Sequence, residues 1–217
     1  MTSKPQCGVR AATRRAPSRR RDATFVRSIA DAIVLKDRDL FLVTDGAGNV
    51  PAEAGHGLGL YLHDCRFLRT WLLEVAGVVL RARAADAGRG GVGLMELSND
   101  VVIALPDGGQ LGRQQLVVGL VRTLDGARRT VFDDLTFRNR GSARALVPLR
   151  LTFATAFEDI FEVRGLFHAR GGRHDPPVWQ HDRARLTYEG RDGFVRSTWL
   201  QFRPPPARTD DHGAEWD

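Results

Sequence analysis

The sequence predicts an all-β domain of antiparallel strands, and three observations carry that expectation. Short apolar runs recur at close spacing and are bounded by Gly, Asn and Asp clusters. Several of these runs alternate apolar and polar residues, as strands with one buried and one solvated face do. The chain is long enough for a real core, with 217 residues of which 42% are hydrophobic and 27% charged. The architecture expected from this pattern is a sandwich or barrel.

The pattern begins at Ile29. Residues 32–36 and 40–44 are apolar runs joined by Asp37-Arg38-Asp39, a β-hairpin. Residues 45–49 form a turn cluster, and Gly55, Gly57 and Gly59 a second loop. The window 67–75 reads two ways. Phe67, Leu68, Trp71, Leu72 and Val75 fit one helical face, whereas Trp71, Leu73 and Val75 fit a strand that turns at Gly77 and returns over 78–84. Strands follow over 94–97 and 101–105, then the turn Pro106-Asp107-Gly108-Gly109, then residues 115–124. Asp125-Gly126 turns the chain into 130–139, where Val131, Leu135 and Phe137 share one parity. Over 145–153, Val147, Leu149, Leu151 and Phe153 make one face, and Pro148, Arg150 and Thr152 the other. Residues 168–183 read as a long polar loop. Residues 186–188 and 195–202 flank the turn 190–193, and Pro204-Pro205-Pro206 stops the last strand. No fixed-period repeat and no second domain is evident. The expected division is a basic arm (1–28), a β body (29–205) and a polar tail (206–217) with no packing signal.

The formal net charge is +6, which invites a nucleic-acid reading. Its location argues otherwise. Lys4, Arg10, Arg14, Arg15, Arg19, Arg20 and Arg21 give residues 1–21 a charge of +7 with no acid among them, so the remaining 25 basic residues face all 26 acidic ones. The body is therefore near neutral and shows no basic face or nucleic-acid motif, so no specific nucleic-acid partner is expected. The arm lacks apolar periodicity and contains Pro5 and Pro17, which predicts disorder. It has no apolar core of a secretory signal; its Arg-rich, acid-poor make-up is that of a transit peptide or a bland extension, and the second reading is favoured because Arg outnumbers Lys throughout. No apolar run approaches the ~20 residues of a membrane span, so no membrane partner is expected. Cys7 and Cys65 suggest no disulfide, which points to a reduced, cytoplasmic setting.

Each candidate chemistry competes with a structural reading. Gly55-His56-Gly57-Leu58-Gly59 and residues 88–93 look superficially like phosphate loops, but neither sits in a strand–loop–helix context, so turns are expected and no cofactor. His174-Asp175 and His181-Asp182 share a loop without a compact ligand spacing, so no metal is expected. Glu158, Asp159 and Glu162 lie close together among Phe157, Ile160, Phe161 and Val163, which look like core anchors. A glycosidase needs two carboxylates about 5–9.5 Å apart across a sugar bond, one of them protonated. Acids so near in sequence fit pairing with Arg66 or Arg164, or contact with a partner, better.

Several blocks nevertheless resemble one family in order. They are residues 34–43 (an opening hairpin), 57–68 (a glycine-rich loop, Tyr61, then Asp64-Cys65-Arg66-Phe67-Leu68), 135–141 (a strand into Arg138-Asn139-Arg140-Gly141) and 157–165 (Asp159-Ile160-Phe161-Glu162-Val163-Arg164-Gly165). Over roughly residues 30–205 the chain resembles the N-terminal domain of bacterial and archaeal glycogen debranching enzymes of the amylo-α-1,6-glucosidase type. Cys65 stands where that family usually has Thr. The resemblance implies a β-supersandwich and a glycogen context, and it favours strands in the window 67–75. Family enzymes continue into an (α/α) barrel that carries the catalytic carboxylates, whereas this sequence stops at Asp217. The resemblance therefore implies no catalytic residue here. It implies a module that packs on such a barrel, in cis or in trans, and helps shape an α-glucan site. By motif position, Tyr61, Asp64, Arg66, Glu158, Asp159, Glu162 and Arg164 are the expected glucan or interdomain contacts, with buried ion pairing as the competing explanation. A free-standing glycogen-binding module and an inactive gene fragment are the alternatives.

Overall fold

The computed structural model describes residues 32–52, 57–88, 90–166 and 171–217. The basic arm, Cys7 and the loop residue His56 lie outside them. The chain opens as a meander of β1 (Ile33–Asp37), β2 (Leu40–Thr44), β3 (Gly59–Leu62) and β4 (Cys65–Leu68). It continues through β5 (Thr70–Val75), β6 (Val78–Val79), β7 (Arg81–Ala87) and β8 (Val92–Ser98). A small pair, β9 (Ile103–Ala104) and β10 (Gln110–Leu111), precedes the long hairpin β11 (Leu116–Asp125) and β12 (Thr130–Asn139). β13 (Leu149–Ala154) and β14 (Glu158–Asp159) return to earlier sheets, and helix α1 (Ile160–Val163) follows. Last come β15 (Arg173–His174), β16 (Val178–Gln180), β17 (Arg183–Glu189), β18 (Val195–Gln201), β19 (Arg208–Asp210) and β20 (Gly213–Trp216).

The strands assemble into four main antiparallel sheets. The first is β1-β2-β3-β4-β14, the second β19-β20-β13-β5-β6 and the third β12-β11-β8-β7. In the fourth, β17 pairs β15 and β16, and also β18. The all-β antiparallel expectation is met. The window 67–75 is extended: Trp71, Leu73 and Val75 pair Phe153, Leu151 and Leu149 across β5 and β13.

Strand alternation places the core between sheets. Leu35, Leu40, Leu42, Val50, Leu58 and Leu124 are buried between the first and third sheets. Val75, Leu80, Met95, Leu97, Val118 and Leu120 fill the space between the second and third, closed off by Ile103 and Leu111 from the small pair. Leu151, Phe153, Ala184, Leu186, Leu200 and Ala214 pack the second sheet on the fourth. One face of β5 and β13 serves two cores. Val75 and Leu149 meet the third sheet at one end, while Trp71, Leu73, Leu151 and Phe153 meet the fourth at the other. Burial of this kind is worth about 25 cal/mol per Å² of apolar surface and is the main source of stability.

Three sequence expectations need correction. Residues 206–217 are a hairpin that forms sheet edge: β20 pairs β13 from Leu149↔Trp216 to Thr152↔Gly213. Its signal was weak because Ala214, the fully buried residue, is small. The polar loop 168–183 contains β15 and β16, held by backbone pairing to β17. Of the expected anchors near α1, only Phe157 is buried; Ile160 and Val163 are half-buried and Phe161 is exposed. The helix is a single turn resting on a hairpin, with too little surface covered to bury its apolar side chains.

Candidate functional site

β3 and β4 are joined by His63 and Asp64, both in the left-handed region with φ of 48° and 61°. Two such residues make the tight turn whose twist suits a hairpin. Beyond a register shift, Tyr61 pairs Arg66, and Arg66 in turn pairs Glu158 on β14. Direct cross-strand partners share a face, so three strands line up Tyr61, Arg66 and Glu158 side by side. The Arg66 Nε donates to Glu158 Oε2 at 2.8 Å, its Nη2 reaches the same oxygen, and its Nη1 donates to the Leu58 carbonyl at 3.3 Å. Arg66 can lie flat here because residue 59 is glycine. A Cβ at Gly59 would meet the Leu68 carbonyl at 2.5 Å and Arg66 Cδ at 2.8 Å, and its φ of 146° disfavours a side chain in any case.

Tyr61 is buried and stacked on Phe41, with ring centroids 4.7 Å apart and planes 3° off parallel. Its hydroxyl donates to the Gly57 carbonyl at 2.9 Å. Burial raises the Tyr61 pKa, against the pull of the Arg66 charge. The phenol thus serves the glycine loop and offers no open ring face to a ligand.

Asp159 and Glu162 form a capping box on α1. Asp159 Oδ1 accepts from the Phe161 N–H at 2.8 Å, and the Asp159 N–H donates to Glu162 Oε2 at 3.0 Å. The Ile160 N–H donates to the Asp64 carbonyl at 2.8 Å, which seats the helix on the hairpin turn. Arg164 is the exposed C-cap, its N–H donating to the Ile160 carbonyl at 3.1 Å. The seven expected contacts therefore do gather in one region, but with different jobs. Tyr61, Arg66 and Glu158 hold three strands together. Asp159 and Glu162 cap a helix. Asp64 turns a hairpin, and Arg164 ends the helix. Beside them Phe157, with φ of 55°, packs edge-on to Phe67 at 5.3 Å and flat on Tyr188 at 5.2 Å. His174 joins that stack 4.7 Å from Tyr188, and burial lowers its pKa.

Sequence reasoning missed a second polar centre. Arg122 is 2% exposed. Its Nε donates to Asp133 Oδ1 at 2.6 Å, and its Nη1 donates to the Gly48 carbonyl at 2.7 Å. Asp133 Oδ2 also accepts from the Trp71 indole at 3.2 Å. Nearby, Asp45 accepts from the Ala47 and Asn49 N–H groups at 2.9 and 2.8 Å; burial raises its pKa, and those bonds oppose the rise. The signal was present in parity. Arg122 shares its parity with Leu120 and Leu124, and Asp133 with Val131 and Leu135, so both charges fall on the core-facing side of their strands.

Multiple antiparallel sheets around shared cores, with polar residues knitting strands at their ends, define a multi-sheet β domain. The family model for the N-terminal domain of some glycogen debranching enzymes matches residues 35–217, and the chain belongs to that family. The match extends the motif resemblance through the C-terminal hairpin. No curated protein and no solved structure matches the chain.

Proposed function

We propose that the chain works as a non-catalytic module of a glycogen-debranching protein, packing on an (α/α) catalytic barrel supplied in cis or in trans and supporting its α-glucan site. The observation that carries this reading is an apolar outer face on the third sheet. Leu94 (50% exposed) and Val121 (40%) are direct cross-strand neighbours. Val92 and Phe132 flank Thr123 in the next row. Contiguous exposed apolar residues rimmed by the acids Asp86, Glu96 and Asp134 suit a second folded domain better than water. The acidic cluster supports the non-catalytic part, since Glu158 is ion-paired while Asp159 and Glu162 cap α1.

Reconstitution tests the reading. Adding the chain to a separately produced barrel of a debranching enzyme is expected to form a complex and raise hydrolysis of a branched limit dextrin. Val121→Asp is expected to weaken that complex. Dextrin hydrolysis by the chain alone, or a barrel indifferent to it, would overturn the proposal.

A further inference from the structure

The outer face of the fourth sheet carries a chemistry unlike that of the third. Ala184, Leu186 and Leu200 point into the core, so their alternates on β17 and β18 point out. Three adjoining cross-strand rows result. The middle one is Val178–Arg185–Trp199, one flank is Gln180–Arg183–Gln201, and the other is Thr187–Ser197. Trp199 is 58% exposed, a large cost for an indole that nothing in the fold requires to face water. The Arg185 guanidinium lies 5.5 Å from its ring centroid, within cation–π range, which restrains both side chains before any ligand arrives.

We infer that this face is an α-glucan contact surface, with Trp199 as the platform and Arg185 as its main hydrogen-bond donor. A pyranose ring has an apolar C–H face and a rim of hydroxyls. The indole offers a flat apolar surface for the first, and the guanidinium offers paired N–H donors for vicinal hydroxyls. Rows two residues apart along a strand stand about 6.8 Å from each other. The amides of Gln180 and Gln201 on one side, and the Thr187 and Ser197 hydroxyls on the other, can thus reach the sugars before and after the one on the platform. This mixture of aromatic, amide and hydroxyl groups suits a polyol. The acid-rimmed apolar third sheet, by contrast, suits a protein. The inference rests on the glycogen context proposed above and locates the glucan contact away from the Tyr61–Arg66–Glu158 cluster.

The test is electrophoretic retardation of the full chain in gels containing glycogen, with maltoheptaose titrated against tryptophan fluorescence. The wild type should be retarded, and Trp199→Ala should weaken apparent affinity about tenfold. Trp199→Phe should retain part of the binding, and Arg185→Ala should fall between. Circular dichroism and the melting temperature should not change for these surface variants. A folded Trp199→Ala chain retarded as strongly as wild type would overturn the site while leaving the module reading intact. So would absence of retardation in a chain that still assembles with the barrel. If Trp199→Ala instead abolished barrel assembly with glycogen retention intact, the face would be a protein interface and the inference would fail.

Discussion

Arg122 is the least exposed charged residue among the described residues. Arg122→Ala leaves Asp133, whose side chain is only 16% exposed, without its counter-charge, and removing one partner of a buried pair costs about 3–5 kcal/mol. Urea unfolding should show that loss, and Arg122→Lys should not restore stability, because an ammonium cannot make the forked contact to Asp133 and still reach the Gly48 carbonyl. A loss below 1 kcal/mol would contradict the role. Cys65 makes a prediction in pH. Burial pushes its thiol from 9.0 up to about 11, so the folded chain holds the proton that the unfolded chain releases first. Its contribution is therefore complete below pH 9 and is lost as pH rises through 11. Alkylation of native Cys65 by iodoacetamide should be slow at pH 8 and accelerate only toward pH 11, while in urea it accelerates near pH 9; equal native and unfolded profiles would refute this. At this scale the sequence located Arg66 and Glu158 as possible partners because they sit in memorable blocks. It hid Arg122 because one charge in an apolar run looks like a solvated position until the inward parity of its neighbours is applied.

The C-terminal hairpin shows what an element conceals. β19 and β20 are short and mostly polar, so periodicity had nothing to detect, and their stability comes from elsewhere. Arg150 of β13 donates to Asp210 Oδ2 at 2.8 Å and to Glu215 Oε1 at 2.5 Å, and Arg208 donates to Glu215 Oε2 at 2.9 Å. These bonds lower the Asp210 pKa, chiefly through Arg150, and the Glu215 pKa, chiefly through Arg208. Depressed carboxylates stabilise the hairpin above their unfolded values of 3.8 and 4.5, and the effect fades as pH falls through the lower folded values. Amide protection in β20, taken relative to the intrinsic exchange rate at each pH, should fall selectively on acidification below about pH 4, ahead of β11; a simultaneous fall in both would refute the local linkage. Deleting residues 207–217 should lower the melting temperature sharply, because Leu151 and Phe153 lose the cover of Ala214 and Trp216; an unchanged melt would show the hairpin to be dispensable. Strands with bulky alternation, such as β13 with Leu149, Leu151 and Phe153, were legible because their own side chains make the core. β15, β16 and β20 were not, because they are held by backbone bonds to a neighbour.

Over the whole molecule, charge and architecture separate. The basic excess lies in residues 1–21 and the body is near neutral, so removing those residues should abolish any DNA retention in a low-salt shift assay. Affinity that survived would place a nucleic-acid surface on the body. The described body is instead organised by sheets that meet at a few shared points. Gly126 N–H donates to Asp37 Oδ2 at 2.7 Å, tying the third sheet to the first. Arg122 and Asp133 join the third sheet to Gly48, in the loop after β2, and to Trp71 of β5, across 74 and 62 residues of chain. Such distant partners meet only after long loops close. Contacts that form after the rate-limiting barrier govern how fast a protein comes apart, and leave its assembly rate almost unchanged. Arg122 is thus expected to act as a latch on lifetime. Its removal should steepen escape from the native state, with folding from urea proceeding at nearly the wild-type rate.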